Sequence, residues 1–391
     1  MPAKRLEGLG ASVFTEMDNL KKSLEREGKT LINLSIGSPD RAPAEELRQV
    51  LSRAALEDNQ YGYTLTRGTG DFRQACARWY QERFNVFLDP ETEVLPLMGS
   101  QDGLAHIFLA YIDPGDSALI PDPGYPIYTA GLLLAGGEKI AVPLLEENSY
   151  LPDLKKIDPA LARKAKLMFL NYPNNPTAAV APISFFEEVV EFAKEYELLI
   201  CHDAAYSELA FEGYRPVSFL QARGAKEVGI EFHSVSKTYN LAGVRLGFAV
   251  GNAEVIGTLA QLKSNIDYGV FGPVLTTGVF ALASGQDSIE ENRQAYQRRR
   301  DLLVEGCARA GWKMPPPQGS MFIWAPVPTK QDSMSFAVEL AREAGVIVVP
   351  GVAFGGYGEG YVRIAMVQEE SVLREAVRRI GLFLQDRLTE G

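Results

Sequence analysis

The chain has little of the material from which metal sites and disulfide scaffolds are made. Its 391 residues include three cysteines and three histidines. Cys76, Cys201 and Cys307 are too scattered for a zinc motif, and so few thiols in this length fit a reducing compartment. With three histidines and no HExxH, no metal site is expected. A basic surplus is also absent: the formal net charge is −11. Nucleic-acid surfaces need a basic stripe, and none is found, so no nucleic-acid partner is expected. The triplet "RRR" at 298–300 is followed by Asp301 and amphipathic apolar residues, and reads as the solvated face of a helix. No apolar run reaches the ~18 residues of a membrane span. The N-terminal "MPAKRLEGLGASVFTEMDNLKKSLEREG" lacks a signal peptide's apolar centre. A cytoplasmic location, away from membranes, is expected.

What is present is a soluble, globular composition, 46% hydrophobic and 23% charged. The length favours two domains. Short apolar runs alternate with helical periodicity in the middle of the chain. Candidate strands cover 93–99, 117–122, 138–144, 165–171, 197–203, 229–235 and 245–251. Segments such as "GLAHIFLAYI" and "ISFFEEVVEFAKEYE" between them read as helices. The alternation predicts an α/β domain with a mostly parallel sheet, and chemistry gathers at the carboxyl ends of such strands. Beyond about residue 285 the pattern changes to a long charged helix, "GSMFIWAPV", the helix "SFAVELAREAG", the strand "VIVVPG", "YVRIAMV" and a last amphipathic helix from 369. This predicts a smaller α+β domain of 1–44 and 286–391 beside a large domain of 45–285.

Unusual residues fall at the strand ends. In "SVSKTYNLAGVRLGF", Lys237 follows a strand, and Arg245 sits in a Gly-bounded apolar run. Lys237 reads either as a lysine extending its head to solvent or as an imine-forming amine, which needs a low-dielectric pocket beside another cation. Ser234, Ser236 and Arg245 would then serve an anion, most simply a phosphate. In "LMGSQDGLAHIF" a strand runs through Gly-Ser straight into a helix, aiming free N–H groups at an anion. Asp203 in "LLICHDAAYSELAF" is a helix cap or the counter-ion of a pyridinium nitrogen, with Tyr206 three residues on. "FLNYPNNPTAAV" is a turn-rich loop whose Asn175 can donate to a cofactor's phenolic oxygen. Tyr125 in "PDPGYPIYTAG" is a loop aromatic or a ring stacked on a flat cofactor. Arg363, in a strand among apolar residues, needs an anion, and a substrate α-carboxylate fits it bidentately.

Taken together and in this order, these segments resemble the class I/II aminotransferases, the fold-type-I pyridoxal-phosphate enzymes, over nearly the whole chain. "SVSKTYNLAGVRLG" is similar to the family's S-x-S-K-x(6–7)-G-x-R-x-G segment. The resemblance implies pyridoxal 5′-phosphate as cofactor, with Lys237 as the Schiff-base lysine and Ser100, Gln101, Ser234, Ser236 and Arg245 at its phosphate. It implies Asn175 and Tyr206 at the phenolic oxygen, Asp203 at the ring nitrogen and Tyr125 stacked on the ring. "LSIGSPD" resembles the substrate-side loop, which puts Gly37 at the α-carboxylate opposite Arg363, with Asn175 beside them. "YGYTLTRGTGDFR" resembles the segment whose tyrosine, here Tyr63, reaches the phosphate of the neighbouring subunit, which implies a homodimer with shared sites. Two residues depart from the pattern. Ala178 replaces the glycine after Asn-Pro-Thr, so a backbone conformation suited to glycine is expected to be relaxed there. Gln101 stands where lysine is common, leaving more of the charge compensation to Arg245.

The implied activity is transfer of an amino group between an amino acid and a 2-oxo acid, with 2-oxoglutarate and glutamate as one pair. "KSNIDYGVFGPV" and "FTEMDNLKK" resemble the LL-diaminopimelate aminotransferase group, with alanine and aspartate aminotransferases as alternatives. A β-lyase, racemase or γ-synthase would share most of these residues. A cofactor-sensing regulator would need an added DNA-binding domain, and the chain begins almost at once with the aminotransferase-like region. "GGYGEG" lies outside any strand–turn–helix opening and fails the dinucleotide pattern of a dehydrogenase.

Overall fold

The computed structural model of the chain describes residues 3–9, 13–385 and 387. Its central sheet is made from the apolar runs: β1 (Val94–Leu97), β2 (Ser117–Asp122), β3 (Glu138–Pro143), β4 (Ala165–Asn171), β5 (Leu199–Asp203), β6 (Gly229–Ser234) and β7 (Gly247–Gly251). The spatial order is β1-β7-β6-β5-β4-β2-β3. Only β7 runs against its neighbours, β1 and β6; the other pairs are parallel. Strands covered on both faces read as unbroken apolar runs, and β2 is buried at every residue. Alternate residues enter opposite layers: Met168 and Leu170 join one core, Leu167 and Phe169 the other.

Parallel pairing sets Asn171 of β4 opposite Asp203 of β5, at the carboxyl edge of the sheet. Ser234 closes β6 opposite Gly247 of β7, and Leu97 closes β1 opposite the same glycine. A Cβ on Gly247 would lie 2.7 Å from the amide nitrogen of Ser100, so this close approach requires glycine.

A second, antiparallel sheet holds β8 (Phe322–Pro326), β9 (Val349–Pro350) and β10 (Tyr361–Ala365) in the order β9-β10-β8. Around its apolar core pack α1 (Val13–Arg26) through Met17 and Leu24, a long helix at Gln286–Arg309, and a last helix at Glu370–Gln385.

Two expectations fail here. "VIVVPG" is not one strand: Val346–Ile347 pairs in parallel with Ile32–Asn33, whereas Val349–Pro350 joins the other sheet. Side chains on both stretches are buried, so an apolar run could not reveal the corner at Val348. Nor is the arginine triplet a solvated face. Successive helical residues point about 100° apart, so three in a row cannot share a side. Arg298 is exposed, but Arg299 forks onto Asp40 at 2.7 and 2.8 Å. Arg300 is buried and meets Glu212 at 2.7 Å.

One buried polar group braces the sheet behind this carboxyl edge. The Glu231 carboxylate of β6 accepts from Tyr80 Oη (2.6 Å) and the Phe219 amide (2.8 Å). It also meets His233 Nε2 at 2.8 Å and His202 Nδ1 at 2.7 Å. His202 directly precedes Asp203, and His233 directly precedes Ser234. Burial pushes the Glu231 carboxyl up, but hydrogen bonds and charge from the two histidines outweigh it and hold the group well below its ordinary range. A depressed carboxyl stabilises the fold above its unfolded pKa of about 4.5, and that contribution is lost as the pH falls. Glu231→Ala should therefore destabilise the apoprotein by about 3–5 kcal/mol at pH 7 in urea unfolding, with the difference from wild type narrowing in acid.

Candidate active site

The turn after β4 is knotted by its own asparagines. Asn171 donates from Nδ2 to the Asp203 carbonyl (2.7 Å) and accepts the Asn175 amide on Oδ1 (2.7 Å). Asn174 donates to the Asn171 carbonyl (3.0 Å) and accepts from both the amide and the hydroxyl of Thr177. These bonds fix the stretch "NYPNNPT", and Asn175 Oδ1 accepts from Arg363 Nη1 at 2.8 Å. The backbone at Ala178 is not relaxed as expected from its sequence. It keeps φ at +61°, because its amide bonds Asn174 O while the Asn174 amide bonds Ala179 O. The closed turn holds alanine in a conformation that favours glycine.

Asp203 ends β5, 4% exposed. Its Oδ2 accepts from Tyr128 Oη (2.8 Å) and its Oδ1 from the Ala205 amide (3.1 Å). Burial raises its carboxyl above the ordinary range, and these two bonds pull it partly back. Such a group gains from a cationic partner, which would offset its desolvation. Tyr206 is buried beside it, edge-on to Phe322 with ring centres 5.7 Å apart. Lys237 stands one short turn beyond β6, and its Nζ donates to the Gly37 carbonyl at 2.6 Å. Burial, and then the charges of Arg363 and Arg245, lower its ammonium to about 8, with Asp203 opposing.

At the other end of the cavity lies the start of the 12-residue helix α2 (Ser100–Tyr111). Gly99, at φ +80°, precedes it, and a Cβ there would fall 2.6 Å from Arg245 Nη2. The guanidinium thus lies directly against the glycine backbone. Arg245 itself sits at φ +56°, an unfavourable region for arginine, as functional backbones often do. Ser234 and Ser236 are buried beside it, the Ser234 hydroxyl accepting the Ser236 amide at 3.2 Å. Gln101 accepts from Tyr125 Oη at 3.2 Å.

One cavity of about 400 Å³ is lined by Lys237, Asp203, Tyr206, Ser100, Gln101, Tyr125, Asn175, Ser234, Ser236, Arg245, Gly37 and Arg363. Tyr63 is not among its walls. It is 88% exposed and packs on Tyr268, with ring centres 5.2 Å apart. Phe14, Ser35, Ile36, Asn171 and Phe322 also line the cavity and were not read from the sequence as site residues. In the sequence Asn171 is simply the last residue of the candidate strand 165–171, and the apolar residues look like any core. Arg363, 4% exposed, donates from Nη2 to the Ser35 carbonyl at 2.8 Å, while its Nε has no protein partner. Burial lowers its guanidinium to about 10, opposed by Tyr206 and Tyr125.

The profile of the family "Aminotransferase class I and II" matches residues 29–380. The chain belongs to the class I and II aminotransferases. It is 49% identical over 382 residues to an LL-diaminopimelate aminotransferase of Moorella thermoacetica, covering 98% of each chain. Its fold is similar to that of substrate-bound BacF from Bacillus subtilis, with a TM-score of 0.91, 39% identity, and coverage of 98% of this chain and 95% of the other. It is also similar to a probable N-succinyldiaminopimelate aminotransferase from Thermus thermophilus (TM-score 0.89, 40% identity, 95% and 100% covered).

This aminotransferase has the fold-type-I architecture and uses pyridoxal 5′-phosphate. The residues present fit that cofactor. A glycine cradle closed by Arg245 suits a phosphate, and at the far end a buried, raised carboxyl suits a cationic ring nitrogen. A lowered ammonium such as Lys237 supplies a free amine near neutral pH. Covalent capture of the cofactor by apoenzyme should therefore accelerate about tenfold per pH unit below 8 and level off above it. Stopped-flow absorbance would follow the capture, and a rate flat from pH 6 to 9 (~) would contradict the lowered amine.

Proposed function

We propose that this aminotransferase takes LL-diaminopimelate, or a similarly long and polar amino acid, as one substrate, with glutamate and 2-oxoglutarate as the other pair. The observation that carries this reading is the cation inventory of the cavity. Among the described residues, its walls hold Lys237, Arg245 and Arg363, and no further arginine or lysine. With Arg245 at the phosphate and Lys237 at the reacting carbon, Arg363 alone serves the α-carboxylate, so nothing in this chain's own walls selects a short dicarboxylate. Arg67, in "TLTRGTG", donates to the Glu91 carbonyl (3.0 Å) outside the cavity. Relatives named LL-diaminopimelate aminotransferase at 49%, 48% and 44% identity support the same substrate.

The cofactor supplies an aldehyde carbon for the amino nitrogen and a ring that accepts electrons. The chain's residues do the rest. Arg363, held by Asn175 and Ser35, orients the substrate by its carboxylate. Lys237 Nζ accepts the proton from the substrate's Cα and later donates it again. Asp203, fixed by Tyr128, would hold a positive charge at the ring nitrogen, Asn175 and Tyr206 would hold the phenolic oxygen, and Tyr125 would pack on the ring. Ser100, Gln101, Ser234, Ser236 and Arg245 anchor the phosphate, and Gly37 approaches the substrate carboxylate.

The same reading divides the chain into a large domain, 45–285, and a small one, 1–44 with 286–391. In its support, Met17, Leu24, Ile32 and Leu34 share an apolar core with residues from Tyr296 to Leu384. A homodimer completes the site. Tyr61, Tyr63, Leu65, Tyr268 and Phe271 expose a large apolar and aromatic surface, unusual for a free monomer. A cytoplasmic location agrees with three unpaired, buried cysteines. No helix among the described residues is long and apolar enough to cross a membrane.

Screening amino donors against 2-oxoglutarate tests the substrate: LL-diaminopimelate should be used, and an enzyme restricted to aspartate and glutamate would refute the assignment. Asp203→Ala should cut turnover by at least about a hundredfold with the fold intact, and Lys237→Ala should abolish it. Activity of the Asp203 variant within about threefold of wild type would leave that carboxylate only a helix cap. Mixing Lys237→Ala subunits with Tyr63→Phe subunits should form heterodimers in which one site is free of both changes. Active enzyme that sediments only as a monomer would rule out the shared site.

A further inference from the structure

The glycine-rich stretch "GVAFGGYGEG", 351–360, is left unexplained by the reaction. It folds as two short turns, Gly351–Phe354 and Gly356–Gly358, between β9 and β10. Its glycines are dictated by contact. A Cβ on Gly351 would lie 1.8 Å from the Gly358 carbonyl, and one on Gly355, at φ +136°, would lie 2.0 Å from Asp122 Oδ1. The turn is therefore folded on itself and pressed against the last residue of β2, in the other sheet.

Two hydrogen bonds hold it there. The Tyr357 amide donates to Asp122 Oδ1 (3.0 Å), and the Gly124 amide donates to the Phe354 carbonyl (2.8 Å). Asp122 is itself held by Lys139, at 2.8 Å from Oδ2. The turn thereby delivers the ring of Phe354 to the guanidinium of Arg363, 4.8 Å from ring centre to Cζ. Phe322 lies 4.1 Å from the same carbon. Phe354 does not line the cavity, so its contact with substrate passes through the arginine.

We propose that Phe354, pinned to the central sheet through Asp122, is a positioning residue that fixes the guanidinium of Arg363 for the substrate α-carboxylate. A planar cation is steered by an aromatic face, whereas an aliphatic side chain of similar volume leaves it free to turn. Hydrogen bonds to Asn175 and Ser35 fix both terminal nitrogens, and the ring fixes the plane in which they lie. Every substrate of the reaction carries an α-carboxylate, so loss of the ring acts on both half-reactions alike.

The inference rests on Arg363 being the carboxylate ligand, and the variants separate the two claims. Steady-state kinetics of the holoenzyme with glutamate and 2-oxoglutarate would compare Arg363→Lys, Phe354→Leu, Phe354→Tyr and Asp122→Ala. For Phe354→Leu, KM for both substrates should rise about tenfold, with kcat within about twofold and cofactor affinity unchanged. Phe354→Tyr, which keeps the ring, should fall closer to wild type than Phe354→Leu. Asp122→Ala should raise both KM values in the same pattern, and it reads the pinning even if a Phe354 variant does not fold. Arg363→Lys with wild-type KM would remove the underlying reading. Raised KM in Arg363→Lys, but unchanged KM in Phe354→Leu and Asp122→Ala, would overturn this inference and leave that reading standing. A tyrosine variant no better than the leucine one would also overturn it.

Discussion

Asp203, Lys237 and Arg363 are three charged groups withdrawn from water around one cavity, and the neighbouring structure is organised by the cost of keeping them there. An isolated buried charge costs several kcal/mol, so each must be surrounded by dipoles that suit it. Each charge is met here largely by neutral partners. Asp203 takes a phenol and a backbone amide, Arg363 an amide oxygen and a carbonyl, and Lys237 a carbonyl. Neutral partners hold geometry without cancelling charge. That leaves Asp203 and Arg363 free to pair with oppositely charged groups of a bound molecule, and it leaves Lys237 near the point of losing its proton.

The arrangement depends on parallel strands ending together. Asn171 and Asp203 are opposite one another in register, so one asparagine can bond the carbonyl of the aspartate and the amide of Asn175 at once. Slipping β4 by one residue would turn Asn171 into the core and release both bonds. Behind this edge, Glu231 ties His202 to His233 across β5 and β6. The residues immediately after those histidines are Asp203 and Ser234, both of which line the cavity. This bracing is placed on the far side of the same two strands, where it fixes backbone outside the cavity wall.

Much of this was legible in the sequence. Each of the seven apolar runs is a strand of the central sheet; burial on both faces leaves little polar alternation to confuse the reading in all but the half-exposed edge strand β3. Polar residues beside or within apolar runs were conspicuous because polar groups are costly there: Asp203 after "LLICH", Lys237 after "EFHSVS", Arg363 within "YVRIAMV". Other features depended on partners far away in the chain. Nothing near Arg299 announces that Asp40 will reach it, and nothing near Ala178 announces a turn closed from both sides. Phe14 and Phe322 are apolar residues in apolar patterns, and their place at the cavity follows only from the packing of the second sheet.

Glycine separates the two kinds of legibility most clearly. In Gly99 the sequence showed a plausible anion turn, and the structure supplies the reason for glycine there: the guanidinium of Arg245 occupies the space of a side chain. At 351–360 the glycines matched no nucleotide pattern, yet the same physical cause operates. Backbone must come within van der Waals contact of a charged group from another element, Asp122 in this case. Both turns bring an arginine of the active site under control, one by direct contact with Arg245 and one through the ring of Phe354. Glycine here marks the places where the chain gives up its own side chain so that a distant charge can be held still.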